Sequence, residues 1–283
     1  MMKKSIYISD LDGTLLEPDA TLSDETAARL NALIGRGVAF SAATARTWAT
    51  VQHLLKDVHL EQPVILMNGV CLYHPVQQRY LKISPIPVPA LLRLFDAMEA
   101  EDVHGFLYRF RNDQLLTFYD RITNQPMQEF MEERQQKFNK VFLHCADLRT
   151  EASEDIVYLS IINVPEHLDP VYERIKDDPD LHIEYYKDIY DEGYWYLEVS
   201  ATAASKAAAV RWLKEYGQYD ELVVFGDNMN DLSMFSVADR AYAVANAVPA
   251  VKERADRVIG ANTACGVPAF IEQELEEAAH GTV

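Results

Sequence analysis

Two short stretches of the chain gather carboxylates where apolar strands end. The first, "IYISDLDGT", places Asp10 and Asp12 just after Ile6, Tyr7 and Ile8 and ahead of Gly13 and Thr14. Residues two apart in a strand share a face, so both carboxylates start on one side. Like charges that close raise one another's pKa, which is costly unless a cation or a proton-transfer task uses them. The second stretch, "VVFGDNMND", repeats the arrangement: an apolar strand, a glycine, then Asp227 and Asp231 in a polar loop that opens a helix. Either stretch alone also reads as a turn that caps a helix, since Asp, Asn and Gly are ordinary turn residues.

Together they say more. In an open parallel sheet the C-terminal ends of the strands line up along one edge, where ligands bind. Asp10, Asp12, Asp227 and Thr44, which ends the apolar run "VAFSAA", all fall on that edge. Three or four carboxylates converging there call for a hard divalent cation, and oxygen ligands with retained waters favour Mg²⁺. Thr44 is equally at home as a β-branched strand residue or a helix cap. Lys206 opens the helix of "SKAAAVRWLKEYG". A lysine there is commonly a solvated surface residue, but a cation in the first turn opposes the helix dipole, which favours a local anion partner.

The elements that must position these groups alternate between strand and helix. After the first strand, "TLSDETAARLNALIGRG" has Ser23 as N-cap, Asp24 and Glu25 in the first turn, an apolar stripe of Ala27, Leu30, Leu33 and Ile34, and Gly35 and Gly37 as its stop. A strand ending at Thr44, a helix through "TWATVQHLL" and a third buried strand, "PVILMNG", ending at Asn68 follow. Continuous apolar strands with intervening helices indicate a parallel sheet covered on both faces. The texture changes at "ISPIPVPALLRLF", punctuated by Pro85, Pro87 and Pro89. From there to about residue 195 the chain is rich in Tyr and Phe, with strands in "HGFLYRFRNDQLLTFY", "DIVYLSIINV" and "LHIEYYKDI" and helices over 91–100, 127–137 and 165–176. The pattern predicts an α/β fold: a Rossmann-like doubly wound parallel sheet from residues 1–82 and 196–283, with an α+β domain with an antiparallel sheet inserted at 83–195.

Gross composition limits the partners. With 283 residues, 49% of them hydrophobic, the chain can bury a large core. A formal charge of −18 argues against nucleic acid or an anionic membrane, because phosphates would be repelled over most of the surface. A small anionic substrate needs local cations or backbone N–H groups. Cys71, Cys145 and Cys265 are odd in number and widely spread, which suggests buried thiols in a reducing compartment and no zinc site. Lys3 and Lys4 precede only three apolar residues before Asp10, too few for a signal peptide, and no long apolar span follows. A cytoplasmic protein is expected.

"DLDGT", Thr44, Lys206 and "GDNMND", in this order, resemble the four motifs of the haloacid dehalogenase-like (HAD) hydrolases. The layout resembles the Cof-type branch, whose type IIB cap is a large α/β insertion after the third core strand, and the tail "NAVPAVKERADRVIGANTACGV" is also similar to that branch. The resemblance implies a Mg²⁺-dependent phosphatase of small phosphorylated metabolites, sugar phosphates foremost. Asp10 is then the nucleophile, forming an aspartyl-phosphate, and Asp12 the general acid and then base. The cation is held by the Asp10 side chain, the Asp12 carbonyl and Asp227. Thr44 donates to a phosphoryl oxygen, Lys206 pairs with Asp10 and the phosphate, and Asn230 and Asp231 orient metal waters or Lys206. Arg46, Asn68 and Gly69 fall on the substrate side, although Asn-Gly is also a plain turn.

One position departs from the branch. Its second motif commonly reads Thr-Gly-Arg, and here it reads Thr44-Ala45-Arg46. If the glycine serves a positive φ, Ala45 costs about 1 kcal/mol or shifts the loop. Two other functions fit the same residues less well: a phosphomutase that passes the phosphoryl group to another alcohol, and a non-catalytic binding or regulatory module. Cap aromatics such as Tyr108, Phe110, Tyr119 and Tyr158 could stack on sugars, but alternate aromatics in a strand more often pack the sheet.

Overall fold

The computed structural model describes residues 3–187 and 193–280. The chain divides into two compact units, one made of residues 1–82 with 205–283 and the other of residues 83–204.

The first segment of the first unit contains β1 (Ser5–Ser9), α1 (Asp24–Gly35), β2 (Ala39–Ala42), α2 (Trp48–Leu54), β3 (Val64–Leu66), β4 (Cys71–His74) and β5 (Arg79–Ile83). The inserted unit follows with α3 (Val88–Ala100), β6 (Phe106–Arg111), β7 (Gln114–Tyr119), α4 (Gln125–Phe138), β8 (Phe142–His144), β9 (Ile156–Asn163), α5 (Pro165–Ile175), β10 (Leu181–Lys187) and β11 (Trp195–Ala201). The chain then returns to the first unit with α6 (Lys206–Tyr216), β12 (Glu221–Gly226), α7 (Leu232–Phe235), β13 (Arg240–Val244), α8 (Pro249–Lys252), β14 (Arg257–Ile259) and α9 (Gly266–His280).

The first unit is built on a parallel sheet in the order β14-β13-β12-β1-β2. β3 joins its edge through a single parallel bridge between Ala43 and Ile65 and forms an antiparallel ladder with β4. Ile6 and Ile8 have no exposed surface and Tyr7 little, as a strand covered on both faces requires. β1 is the switch point: the chain leaves it for β2 on one side and later returns as β12 on the other. The register places Ser9 opposite Phe225 and also opposite Ala42, so the three strands end level with one another. The Asp10 N–H donates to the Phe225 carbonyl (2.9 Å), which carries that alignment one residue past the strand.

The inserted unit is a sheet in the order β10-β11-β9-β6-β7-β8. One face packs on α3 and α5 through Leu91, Leu94, Met98, Leu168, Val171 and Ile175, with Leu159, Ile161, Leu197 and Val199 beneath them. On the other, Phe130 of α4 stacks on Phe106 at 5.0 Å.

Several boundaries differ from those expected. The unit boundary falls after Ala204, later than residue 195, because β11 is a strand of the inserted sheet paired to both β10 and β9. That sheet is not wholly antiparallel, since β7 and β8 run parallel with α4 as the crossover between them. β3 ends at Leu66, and Met67 and Asn68 turn out of it with φ of 50° and 54°. The strand expected over "LHIEYYKDI" is observed to Lys187, and residues 188–189 lie outside the described residues. Cys71 and Cys265 are buried free thiols, whereas Cys145 is half-buried. Tyr108, Phe110 and Tyr158 are buried and Tyr119 is half-buried, with the Tyr108 and Tyr158 rings edge-on at 5.5 Å, so sheet packing accounts for most of that aromatic set. No helix among the described residues is long and apolar enough to cross a membrane.

Candidate functional site

The site lies at the carboxyl ends of β1, β2 and β12, and its centre is a buried ammonium. Ser205 caps α6, its side chain accepting from the Ala208 N–H (3.1 Å), which fixes Lys206 as the first helical residue. The Lys206 side chain is 1% exposed, and its Nζ donates to Asp10 Oδ1 (2.5 Å) and to Asp231 Oδ1 (2.7 Å). Asp231 is fully buried, and its second oxygen accepts from the N–H groups of Asp227 (2.9 Å) and Asn228 (3.1 Å). Both oxygens of Asp231 are thus committed to Lys206 and to the loop after β12. Gly226 makes the approach possible: a Cβ there would stand 2.6 Å from the Asp231 Cβ.

Asp227 leaves β12 beside the opposite wall. Its Oδ1 accepts from the Thr14 hydroxyl (2.8 Å). Gly13, at φ +80°, passes so near that a Cβ would lie 2.4 Å from Asp227 Oδ2. The loop carrying Gly13 and Thr14 is pinned from the far end of the chain. Asn246 donates to the Gly13 carbonyl (2.6 Å), and Asn262 donates to the Leu16 carbonyl (2.8 Å) while its N–H donates to Asn246 Oδ1 (3.1 Å). Sequence reasoning assigned no role to Thr14, Asn246 or Asn262. Thr14 sits inside "DLDGT", and both asparagines sit in the tail that carried the family likeness, but which carbonyl each would meet depends on the tertiary fold.

The electrostatics follow from burial. Carboxylate oxygens of Asp10, Asp227 and Asp231 lie within 4.8 Å of one another. Two like charges about 4 Å apart repel by about 4 kcal/mol at an effective dielectric of 20, and one ammonium cannot neutralise three carboxylates. Burial pushes the Asp10 carboxyl well above the usual carboxylate range; Lys206 opposes this, and Asp231 adds to it. Burial likewise pushes Asp227 up to about 6, against the Thr14 hydrogen bond. For Lys206, burial favours the neutral amine, but Asp10 and Asp231 outweigh it and hold the ammonium. The cluster therefore needs either a proton or a cation. Asp10 and Asp227 each spend one oxygen on a neighbouring donor, and an all-oxygen donor set of this kind fits a hard divalent ion. Asp231 is better placed to hold Lys206 and the loop than to serve as a ligand.

Thr44 is fully buried beyond β2, with its N–H on the Ile65 carbonyl (3.0 Å). Its hydroxyl accepts from the Arg46 N–H (3.1 Å), which leaves the hydroxyl proton as a donor. Arg46, expected on the substrate side, forks onto Asp12, with Nε on Oδ2 (2.8 Å) and Nη2 on Oδ1 (2.6 Å). Ala45 is not among the residues with positive φ, so the alanine in this motif carries no left-handed strain. Asn68 and Gly69 form a left-handed turn beside it. The Asn68 N–H donates to the Thr44 carbonyl (2.9 Å), and a Cβ on Gly69 would meet the Ser205 carbonyl oxygen at 2.3 Å. Asn230 reaches Asn68 at 3.5 Å, a marginal hydrogen bond. Asp10, Asp227, Asp231 and Lys206 thus converge on one centre, while Asp12 and Arg46 form a separate pair and Asn230 reaches Asn68 of the 67–69 turn.

The sequence model of the haloacid dehalogenase-like hydrolase family matches residues 7–271. The chain is 24% identical to the 5-amino-6-(5-phospho-D-ribitylamino)uracil phosphatase YitU of Bacillus subtilis, over 96% of this chain and 97% of that protein. It is 27% identical to the pyridoxal phosphate phosphatase YbhA of Escherichia coli, over 97% and 100% respectively. The fold resembles that of TM0651 from Thermotoga maritima, with a TM-score of 0.75, 24% identity and coverage of 96% of this chain and 97% of the other.

Two outcomes test this geometry. In the metal-free protein Asp227 ionises at higher pH folded than unfolded, so stability falls as pH rises from about 4 through about 6. Asp227→Asn should therefore raise the melting temperature in chelator at about pH 7.5, by the equivalent of about 1–3 kcal/mol, and leave it unchanged near pH 4. An equal effect at both pH values would place the strain elsewhere. Gly226→Ala should force Asp231 off its N–H donors and cost about 1–3 kcal/mol in a denaturant titration, whereas an unchanged midpoint would mean that the loop gives way freely.

Proposed function

The chain belongs to the haloacid dehalogenase-like hydrolase family, and on that premise we propose that it is a Mg²⁺-dependent phosphatase of small phosphomonoesters, sugar phosphates foremost, that works through an aspartyl-phosphate on Asp10. The observation that carries this reading is the buried Lys206 ammonium clasped between Asp10 and Asp231, with Asp227 alongside. A buried carboxylate held this firmly at a strand end is a nucleophile fixed in position.

In this reading an Asp10 oxygen attacks phosphorus, forming an O–P bond as the ester P–O bond breaks. The departing alkoxide takes a proton from Asp12. Asp12, now a carboxylate, removes a proton from water, whose oxygen attacks phosphorus and releases Asp10 and inorganic phosphate. Covalent catalysis of this kind divides one difficult displacement into two easier ones. Thr44 donates its hydroxyl proton to a phosphoryl oxygen. Lys206 fixes one Asp10 oxygen, which leaves the other as the attacking atom, and Asp231 holds Lys206 in place. Asp10, Asp227 and the Asp12 carbonyl would hold Mg²⁺, which would screen the carboxylates from the anionic substrate and neutralise charge on the phosphoryl group.

The substrate class draws on two further points. The substrates named for the two relatives, a phosphoribityl compound and pyridoxal phosphate, are both small phosphomonoesters. The groups just described act on the phosphoryl end alone, so recognition of the remainder is assigned to the inserted unit of residues 83–204.

Asp10→Asn should keep the fold and lose turnover by at least about a thousandfold, because an amide is a poor nucleophile. A variant retaining a tenth of wild-type turnover would sink the covalent route. Chelation should abolish phosphate release and Mg²⁺ restore it, with undiminished hydrolysis in metal-free protein as the contrary result. Replacing residues 83–204 by a short linker, with folding checked by circular dichroism, should leave slow hydrolysis of an aryl phosphate and erase the ranking of sugar phosphates. A retained ranking would return specificity to the other unit.

A further inference from the structure

An ion pair joins the first motif to the second. Arg46 meets Asp12 through two parallel hydrogen bonds, Nε to Oδ2 at 2.8 Å and Nη2 to Oδ1 at 2.6 Å. The Asp12 side chain is 47% exposed and that of Arg46 27%. An ordinary ion pair this exposed contributes little to stability, because holding two flexible side chains together offsets the attraction. This one differs in that the arginine's backbone is held on both sides. Its N–H donates to the Oγ1 of fully buried Thr44 (3.1 Å), and its carbonyl accepts from the Met67 N–H (3.1 Å).

The turn that grips Arg46 is itself strained. Met67 and Asn68 are consecutive non-glycine residues at φ 50° and 54°, followed by Gly69 at φ 101°. Left-handed backbone in side-chain-bearing residues costs of order 1–3 kcal/mol each and persists only where the surroundings impose it. Here they do. The Asn68 N–H is fastened to the Thr44 carbonyl, and Gly69 is packed so closely on the Ser205 carbonyl, just before Lys206, that no Cβ fits. A continuous line of contacts therefore runs from the start of α6 through the 67–69 turn to the backbone of Arg46 and from its fork to both oxygens of Asp12.

We propose that Arg46 is a positioning residue for Asp12: its guanidinium fixes the plane of the carboxylate that exchanges protons with the leaving group and water, and it does not serve as a phosphate ligand. This rests on the function proposed above. Each carboxylate oxygen can accept two hydrogen bonds, so the fork occupies one site per oxygen and leaves the other for the transferred proton. A fork of two donors sets the plane of a carboxylate, which the single ammonium of a lysine does not.

The test compares wild type, Arg46→Ala, Arg46→Lys, Asp12→Asn and the Asp12→Asn/Arg46→Ala double variant on an alkyl phosphate and on p-nitrophenyl phosphate, whose leaving group needs little protonation. General acid–base help accounts for about 10²–10⁴ in rate. Arg46→Ala should therefore lose about a hundredfold or more in kcat on the alkyl ester, with KM within about threefold, and about tenfold or less on the aryl ester. Arg46→Lys should resemble Arg46→Ala, and the double variant should be no slower than Asp12→Asn alone. A tenfold rise in KM on both esters with kcat held would make Arg46 a phosphate ligand and overturn the proposal, as would equal Arg46→Ala losses in the presence and absence of the Asp12 carboxylate. Melting temperatures of the same proteins read the pair without turnover: sub-additive losses in the double variant support it and additive losses overturn it. Absence of hydrolysis by the wild-type protein would instead count against the phosphatase reading, with the melting cycle still deciding on the pair.

Discussion

Lys206 lies where three chain segments meet, and its ammonium is a side-chain partner that Asp10 and Asp231 share. A buried charge without partners is prohibitively costly, and removing one member of a buried pair typically costs about 3–5 kcal/mol. The first strand end, the first turn of α6 and the loop after β12 are therefore locked to one another. Asp231 extends the lock by accepting the N–H groups of Asp227 and Asn228, which orients the loop from which Asp227 projects. The position of one carboxylate beside Lys206 thus sets the position of the next.

Such closeness requires the backbone to withdraw at certain points. Gly226 admits the Asp231 side chain, Gly13 admits Asp227, and Gly69 lets the 67–69 turn lie on the Ser205 carbonyl. At Gly13 and Gly69 a positive φ adds a second requirement that a side chain would meet only with strain. Three glycines, one ending β12 and two in the loops after β1 and β3, allow these loops to approach the groups around Lys206. The sheet supplies level strand ends, and the glycines supply the last few ångströms.

The parts of this arrangement that could be read from the sequence were those in which chemistry and local pattern coincide. Asp10, Asp227 and Asp231 each follow an apolar run and a turn, and Lys206 stands out as a cation against the dipole of its own helix. Local pattern also placed α1, α3, α4 and α5 to within three residues at each end, because their apolar stripes lie within the helices themselves. Pairings between distant residues were not legible. Arg46 lies 34 residues from Asp12, and nothing near it in sequence distinguishes a carboxylate partner from a phosphate. The parallel pairing of β7 with β8 was hidden because strand direction depends on the crossover, not on composition. The late unit boundary was hidden because β11 carries an ordinary strand pattern that either sheet could have claimed. Ala45 illustrates the opposite error: a glycine common in the family suggested a positive φ that this backbone does not adopt.

The charge balance of the site bears on how a protein of formal charge −18 could accept an anion. Asp10, Asp12, Asp227 and Asp231 contribute four negative charges when ionised, and Lys206 and Arg46 return two positive ones. Both cations are already engaged by carboxylates, so neither is available to a phosphate without loosening the groups it holds. Lys206 cannot turn away without leaving two buried anions. Arg46 cannot do so without freeing the carboxylate that it orients. A phosphoryl group bearing two further negative charges would therefore meet a net repulsive field, strengthened by the low local polarity that raises Asp10 and Asp227 above their ordinary ionisation range. In the proposed reading, a divalent cation at this cluster would bring the four ionised carboxylates and two side-chain cations to neutrality, and the approach of the substrate would cease to be opposed. On this argument a divalent cation and an anionic substrate would each favour the binding of the other through charge alone, and the coupling would need no change of fold.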